Sequence, residues 1–395
     1  MTHLNESKLP SRLDRLETYL REDPANPLLL GEAFDEALRT GKFEQAEFHL
    51  RHAQSLSAEP SSWGLREAHW LMAKKCHVEA RARLQALRAE FPELAPLQLA
   101  VTYDLAQLAL QQGDPVGGLD ILKPLLHGQS TPDPMAQALT LRLMHRAARH
   151  VDGLALAAGW ARTQSLAAEA MGVAALMALD ASEFELSQRW ADQALQSTEG
   201  NNLEALVARA STALAQRDSQ RARALLARAI ELRPSEGRSW SAMGFCELLD
   251  QNPRAALMAF DRAVATMSDH IGTWHGMGWA AIAGGDLSRA AQAFETALGL
   301  DRNFAESHGA VAVVHAMRGD RKLAGEAIEL AMRLDRTNLS AHYAQAVLDG
   351  KTQDASALNT LARRLLQLRP APFGRNLAES AGLVNRDESP SQDKE

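Results

Sequence analysis

The sequence predicts an all-α solenoid of stacked helical hairpins, on three observations: an internal period of 34 residues, turn residues placed midway through each period, and an apolar content carried by small and aliphatic side chains. The chain has 395 residues, 46% of them hydrophobic but only 5% aromatic, with 25 Gly and 15 Pro. Such a profile excludes collagen-like, low-complexity and disordered classes, and it suits helices that pack closely.

The period is clearest at Trp274, Met277, Gly278, Ala281, Ala290, Phe294 and Ala297. Stepping back 34 residues gives Trp240, Met243, Gly244, Glu247, Ala256, Phe260 and Ala263, and a further step gives Leu206, Arg209, Ala210, Ala213, Ala222, Leu226 and Ala229. A step forward gives His308, Val311, Ala312, His315, Ala324, Ile328 and Ala331. The frame returns near the N-terminus at Leu30, Ala33, Phe34, Ala37, Ala46, Leu50 and Ala53, then at Ala68, Leu71, Ala80, Leu84 and Leu87. In each unit the first helix places apolar residues at i, i+3, i+4 and i+7 and the second at i, i+4 and i+7, so each helix owns one apolar stripe. Small residues such as Gly278 and Ala290 let the two helices approach, and Phe260 and Phe294 fill the space beside them.

Turn chemistry agrees with the stripes. Thr40-Gly41-Lys42, Gln112-Gly113-Asp114-Pro115, Gly284-Gly285-Asp286 and Arg318-Gly319-Asp320 each offer a left-handed glycine and, in three cases, an Asp to cap the next helix. Asn252-Pro253 reads as an N-cap followed by proline at the first helical position. In residues 95–131 the first helix is expected to be longer, because Gly113 falls about four residues late. Residues 132–167 match the frame loosely and are expected to be helical hairpins. From about 168 to 202 the frame resumes with one extra residue. The last unit, 339–372, reads as a cap, and the polar stretch 387–395 cannot bury enough to order itself. Residues 1–8 are expected to fray ahead of a helix around Ser11 to Arg21.

This pattern resembles the tetratricopeptide repeat family, whose helix–turn–helix unit carries Trp/Leu, Leu, Gly/Ala, Tyr, Ala, Phe, Ala and Pro at these spacings. The resemblance covers residues 27 to about 372, about ten units. It implies a right-handed superhelical α-solenoid and the organisation 1–26 (tail and leading helix), 27–202 (N-terminal repeats, the middle ones degenerate), 203–372 (regular repeats with a C-terminal cap) and 373–395 (disordered tail). It also implies a protein-interaction scaffold with no cofactor.

Other chemistries find little support. Forty-nine acidic against 42 basic residues give a net charge of −7, with no basic field for a phosphate backbone, so no nucleic-acid partner is expected. The most apolar window, Met171 to Leu179, is under half the length that spans a bilayer. The first residues lack the apolar core of a secretory signal, which points to the cytoplasm. Cys76 and Cys246 fit no zinc spacing and read as reduced core thiols. No catalytic motif stands out, and an enzyme is not expected. Gly350-Lys351-Thr352 ends a phosphate loop only on paper, because Gln345 occupies the place of its first Gly. Among 13 His, His49 and His52 lie one turn apart, with His69 and Cys76-His77 following. His49 and His52 flank Leu50 and Ala53 and are therefore expected to face solvent rather than hold a metal.

What remains is a surface. The first helices carry a second stripe one residue beyond the packing stripe: Val207, Ser211, Leu214; Ser241, Phe245, Leu248; His275, Trp279, Ile282; Gly309, Val313, Ala316; Tyr343, Val347. It either meets the neighbouring unit's first helix or lines the concave groove where tetratricopeptide proteins usually bind peptides. Val207, Ser211, Ser241, Phe245, His275, Trp279, Val313 and Tyr343 are the candidate partner-binding residues, for an extended peptide or a helix. The Lys and Asn that clamp a terminal carboxylate in family members gripping chaperone tails are absent from these positions. An assembly chaperone or adaptor for a bacterial secretion, pilus or envelope complex is the alternative, by analogy alone. With about 23 residues after the last unit, no attached enzyme domain is expected, and the oligomeric state stays open.

Overall fold

The computed structural model of the chain describes residues 11–56, 59–126, 133–163, 165–353, 370–371 and 375–376. The expectations for residues 1–8, for Thr131-Pro132, for most of the last unit's second half and for the polar end of the chain lie outside them. Two compact units divide the chain, one ending at Asp152 and the other beginning at Gly153.

The first unit opens with α1 (Arg12–Glu22), followed by α2 (Pro27–Arg39), α3 (Phe43–Ser55), α4 (Pro60–Ala73), α5 (His77–Glu90), α6 (Ala95–Gln111), α7 (Pro115–Leu126), α8 (Pro134–Arg146) and the start of α9 (His150–Arg162). Helix α1 begins where expected because Ser11 and Asp14 form a reciprocal capping box: the Asp14 amide donates to Ser11 Oγ at 3.2 Å and the Ser11 amide to Asp14 Oδ2 at 2.9 Å. Its buried face, Leu13, Leu16 and Leu20, joins the core of the first hairpin with Leu30, Phe34, Leu50 and Trp63. Helix α6 is indeed the long one, at 17 residues.

The second unit contains α10 (Ala168–Asp180), α11 (Phe184–Ser197), α12 (Leu203–Ala215), α13 (Ser219–Leu232), α14 (Gly237–Leu249), α15 (Pro253–Val264), α16 (Ile271–Ala283), α17 (Leu287–Leu300), α18 (Ala305–Arg318), α19 (Arg321–Leu334) and α20 (Leu339–Leu348). A 3-10 turn, Lys351–Gln353, follows, and Pro370–Ala371 pairs antiparallel with Arg375–Asn376, a short β-bridge the periodicity gives no hint of. Consecutive helices form antiparallel hairpins, and within a unit each hairpin packs on its sequence neighbours.

Small-beside-large packing holds the hairpins shut. A Cβ at Gly278 would overlap the Phe294 ring, and one at Gly244 would stand 2.6 Å from Phe260 Cε1. Both phenylalanines are fully buried. Gly276 faces both the Phe260 and Phe245 rings, a close approach that the period does not reveal.

Four sequence expectations need correction. Asn252 does not cap α15 with its side chain; its amide reaches back to Glu247 Oε2 at 3.3 Å. Asp320 likewise makes no side-chain cap, whereas Asp286 accepts from the Arg289 amide at 2.9 Å. Cys76 is a half-buried residue at the start of α5 rather than a core thiol; Cys246 is buried, and both are free. His49 does not face solvent: it is 3% exposed, because α1 lies over the α3 face that the 34-residue frame leaves uncovered.

Candidate functional site

The second stripe lies on α12, α14, α16, α18 and α20, and the structure sorts its residues into two sets. Val207, Ser241, His275 and Val313 are buried, Ser211, Trp279 and Tyr343 are half-buried, and Phe245 is exposed at 41%. The buried members stitch one first helix to the next. Ser241 and Thr273 share a hydrogen bond between their hydroxyls at 2.9 Å, and His275 Nε2 meets Ser307 Oγ at 2.9 Å. Gly309 belongs with them: a Cβ there would stand 2.9 Å from the Ala341 amide nitrogen, so the glycine admits the start of α20 against α18.

His275 is the most perturbed base of the row. Burial alone pulls its imidazole from 6.5 to about 4, because desolvation penalises the charged ring, so it is neutral at pH 7. Its ring lies between Phe294, 5.6 Å away, and Phe304, 5.7 Å away in an edge-on arrangement.

The accessible members form an aromatic row held from beneath. Phe245 stands edge-on to Phe260 at 5.2 Å, and Trp279 stands edge-on to Phe294 at 5.7 Å and approaches Tyr343 to 6.3 Å. Trp279 and Tyr343 pack against the core that contains Val313. Val207 and Ser211 occupy the corresponding positions of α12. A pair of buried rings thus fixes the outer rings, so little side-chain entropy remains to be lost when a partner covers them.

Two features escaped the sequence reading. Position 35 of α2 and position 69 of α4, the counterparts of Phe245 and Trp279 in the first unit, are Asp35 and His69. Asp35 pairs with Arg66 at 3.2 Å and His69 with Asp104 at 2.7 Å, so α2 and α4 place charged and polar groups where α14 and α16 carry the apolar row. Secondly, the frame residues Trp240, Trp274, His308 and His342 all act as hydrogen-bond donors. Each ring nitrogen points at a carbonyl six residues earlier: Pro234 and Ser268 at 2.8 Å, Arg302 at 2.8 Å and Arg336 at 3.1 Å. A carbonyl only accepts, so both histidines carry their proton on Nε2.

The hairpin α16–α17 with its closing loop coincides with residues 271–304, which match the family described as Tetratricopeptide repeat. That hairpin is a tetratricopeptide-type repeat. Among solved structures, the fold of this repeat protein is similar to that of the human IFIT1 dimer with PPP-AAAA, at a TM-score of 0.53 and 14% identity, over 92% of this chain and 90% of the other. MamA (41-end) from Desulfovibrio magneticus RS-1 is 21% identical over 43% of this chain and 96% of its own, with a TM-score of 0.37. YrrB, described as a tetratricopeptide protein with an unusual peptide-binding site, is 18% identical over 45% of this chain and 91% of its own, also at 0.37. No curated protein matches the repeat protein's sequence. Among the described residues, no helix is long and apolar enough to cross a membrane.

Proposed function

We propose that this chain is a non-enzymatic scaffold that holds a partner peptide or helix along the first helices of its second unit. Phe245, Trp279 and Tyr343 serve as anchors; Val207, Ser211, Ser241, His275 and Val313 shape the surface around them. The observation that carries this reading is Phe245, an exposed ring locked edge-on against buried Phe260 and seated over the Cβ-less Gly276. Rigid, partly exposed aromatic rings are the side chains from which interfaces draw most of their binding energy. A cytoplasmic location belongs to the same reading, which the two free thiols support.

The test is affinity purification with quantitative mass spectrometry, comparing the unmutated chain with the Phe245→Ala/Trp279→Ala double variant. At least one partner is expected to fall about tenfold or more, as the loss of two anchors predicts. Retention of every partner by a variant whose melting is unchanged would refute the groove. The assembly-chaperone alternative differs only in the nature of the partner. It is distinguished by whether co-expression stabilises a subunit of a secretion, pilus or envelope apparatus.

A further inference from the structure

The α16–α17 hairpin repeats the α14–α15 hairpin 34 residues on, and the two differ in what faces the indole of the frame tryptophan. Trp240 and Trp274 are tethered alike, each ring nitrogen donating at 2.8 Å to a carbonyl six residues earlier. Over the Trp240 ring lies the Arg262 guanidinium, 4.3 Å from the centroid, a cation–π contact that the chain makes with itself. Two further tryptophans keep resident cations, Trp63 with Arg66 at 5.0 Å and Trp70 with Lys74 at 4.4 Å. The residue of α17 in register with Arg262 is Thr296, and among the described residues no cation stands over Trp274. Instead a pocket of about 550 Å³ opens where α15, α16 and α17 meet, and its lining brings Trp274 and Met277 together with Asp261, Asp286, Arg289 and Thr296. The charges change along with the cation: one repeat earlier, Ala227 and Asn252 stand in register with Asp261 and Asp286. Arg289 Nη2 donates to Asp261 Oδ1, which closes that pair. Asp286 Oδ1 accepts from the Arg289 amide at 2.9 Å, and the second oxygen of this exposed residue has no partner among the described residues.

We infer that this pocket is a second recognition site, distinct from the aromatic row, which takes an arginine side chain of a partner polypeptide, with the guanidinium over Trp274 and its N–H groups on the Asp286 carboxylate. Five residues separate Trp274 from Trp279, about 140° around α16, so the two sites use different faces of the helix. Arg262 on Trp240 is the same pairing made within one chain, at a position where neither neighbouring carboxylate is present. Two carboxylates against the single Arg289 leave the lining with an excess of negative charge, which disfavours an anion. An aliphatic side chain would cover the indole and gain nothing from Asp286. Between cations, an ammonium is a compact and strongly hydrated charge. A guanidinium is planar and weakly hydrated, so it lies flat on an indole while its N–H groups meet a carboxylate in the plane.

The test uses the full chain with ¹⁵N-labelled tryptophan, titrated with N-acetyl-argininamide, N-acetyl-lysinamide and the uncharged isostere N-acetyl-citrullinamide. The Trp274 indole N–H resonance, assigned by its loss in Trp274→Phe, is followed by NMR. N-acetyl-argininamide is expected to saturate the shift at about millimolar concentration, as suits so small a ligand. The citrulline analogue should bind about fivefold or more weakly, because it keeps the shape and lacks the charge, and lysinamide should also bind more weakly than argininamide. Asp286→Asn retains a side-chain acceptor for the start of α17 and removes the carboxylate; it should weaken argininamide about threefold. Thr296→Arg installs the counterpart of Arg262 and should abolish saturation with melting unchanged. The inference is overturned by no saturable shift, by equal binding of argininamide and citrullinamide, by tighter binding of lysinamide, or by indifference to either variant. Should Thr296→Arg fail to fold, the comparison of ligands and Asp286→Asn decide the matter without it.

Discussion

Between the helices of successive hairpins one residue takes a positive φ: Gly41, Lys75, Gly113, Ala148, Ser182, Arg217, Gln251, Gly285 and Gly319. Where a side chain occupies this left-handed turn, Cβ meets the following carbonyl oxygen at a cost of about 1–2 kcal/mol, and glycine relieves it at the expense of a looser unfolded chain. Gln251→Gly is therefore expected to stabilise the protein by about 0.5–1 kcal/mol, and Gly285→Ala to destabilise it by about 1 kcal/mol, read as opposite shifts of the urea midpoint. His275 makes a second prediction at this scale. Its folded pKa of about 4 lies below the unfolded value of 6.5. Between these limits the unfolded state binds the extra proton, so stability is full above about pH 6.5 and is lost as pH falls towards 4, by at most about 3 kcal/mol. Burial also lowers His49 and His270, so His275→Gln should diminish the acid slope of stability rather than abolish it.

The hairpins α14–α15 and α16–α17 are each closed by a pair, a missing Cβ on the first helix and a ring on the second. Alanine ordinarily strengthens a helix by about 1 kcal/mol over glycine. At Gly278 the new methyl group would collide with Phe294, and the overpacking penalty of about 1–3 kcal/mol outweighs that gain. Gly278→Ala is thus expected to lower the urea midpoint, whereas Gly325→Ala on α19, where a Cβ meets nothing, should raise it. The indole of Trp274 ties α16 to the loop before it through the Ser268 carbonyl. Trp274→Phe keeps most of the ring but removes the donor, with an expected loss of about 1 kcal/mol in chemical denaturation.

Within each unit, packing runs from one hairpin to its sequence neighbours, which makes stability a sum of local terms and nearest-neighbour interfaces. A defect in one hairpin should therefore be felt next door and fade beyond. Amide hydrogen exchange on Gly278→Ala is expected to show lost protection in α14 to α18 and unchanged protection in α2 to α5. Uniform loss of protection along the chain would mean a single cooperative core instead.

The period and its turn residues determined the helices by themselves, because a 34-residue repeat of small and large apolar positions has one arrangement that buries every stripe. Even the long α6 was legible, from the late glycine at 113. The division of the second stripe was not. Phe245 and His275 look alike in the pattern, and only the stacking of α14, α16 and α18 exposes the first and buries the second. The fate of His49 was equally hidden, since its burial depends on α1, a helix outside the repeat frame. Periodicity reports what a helix must bury against its own hairpin. Which residues a neighbouring element then covers is a property of three-dimensional packing, and that packing decided which side chains are left to meet a partner.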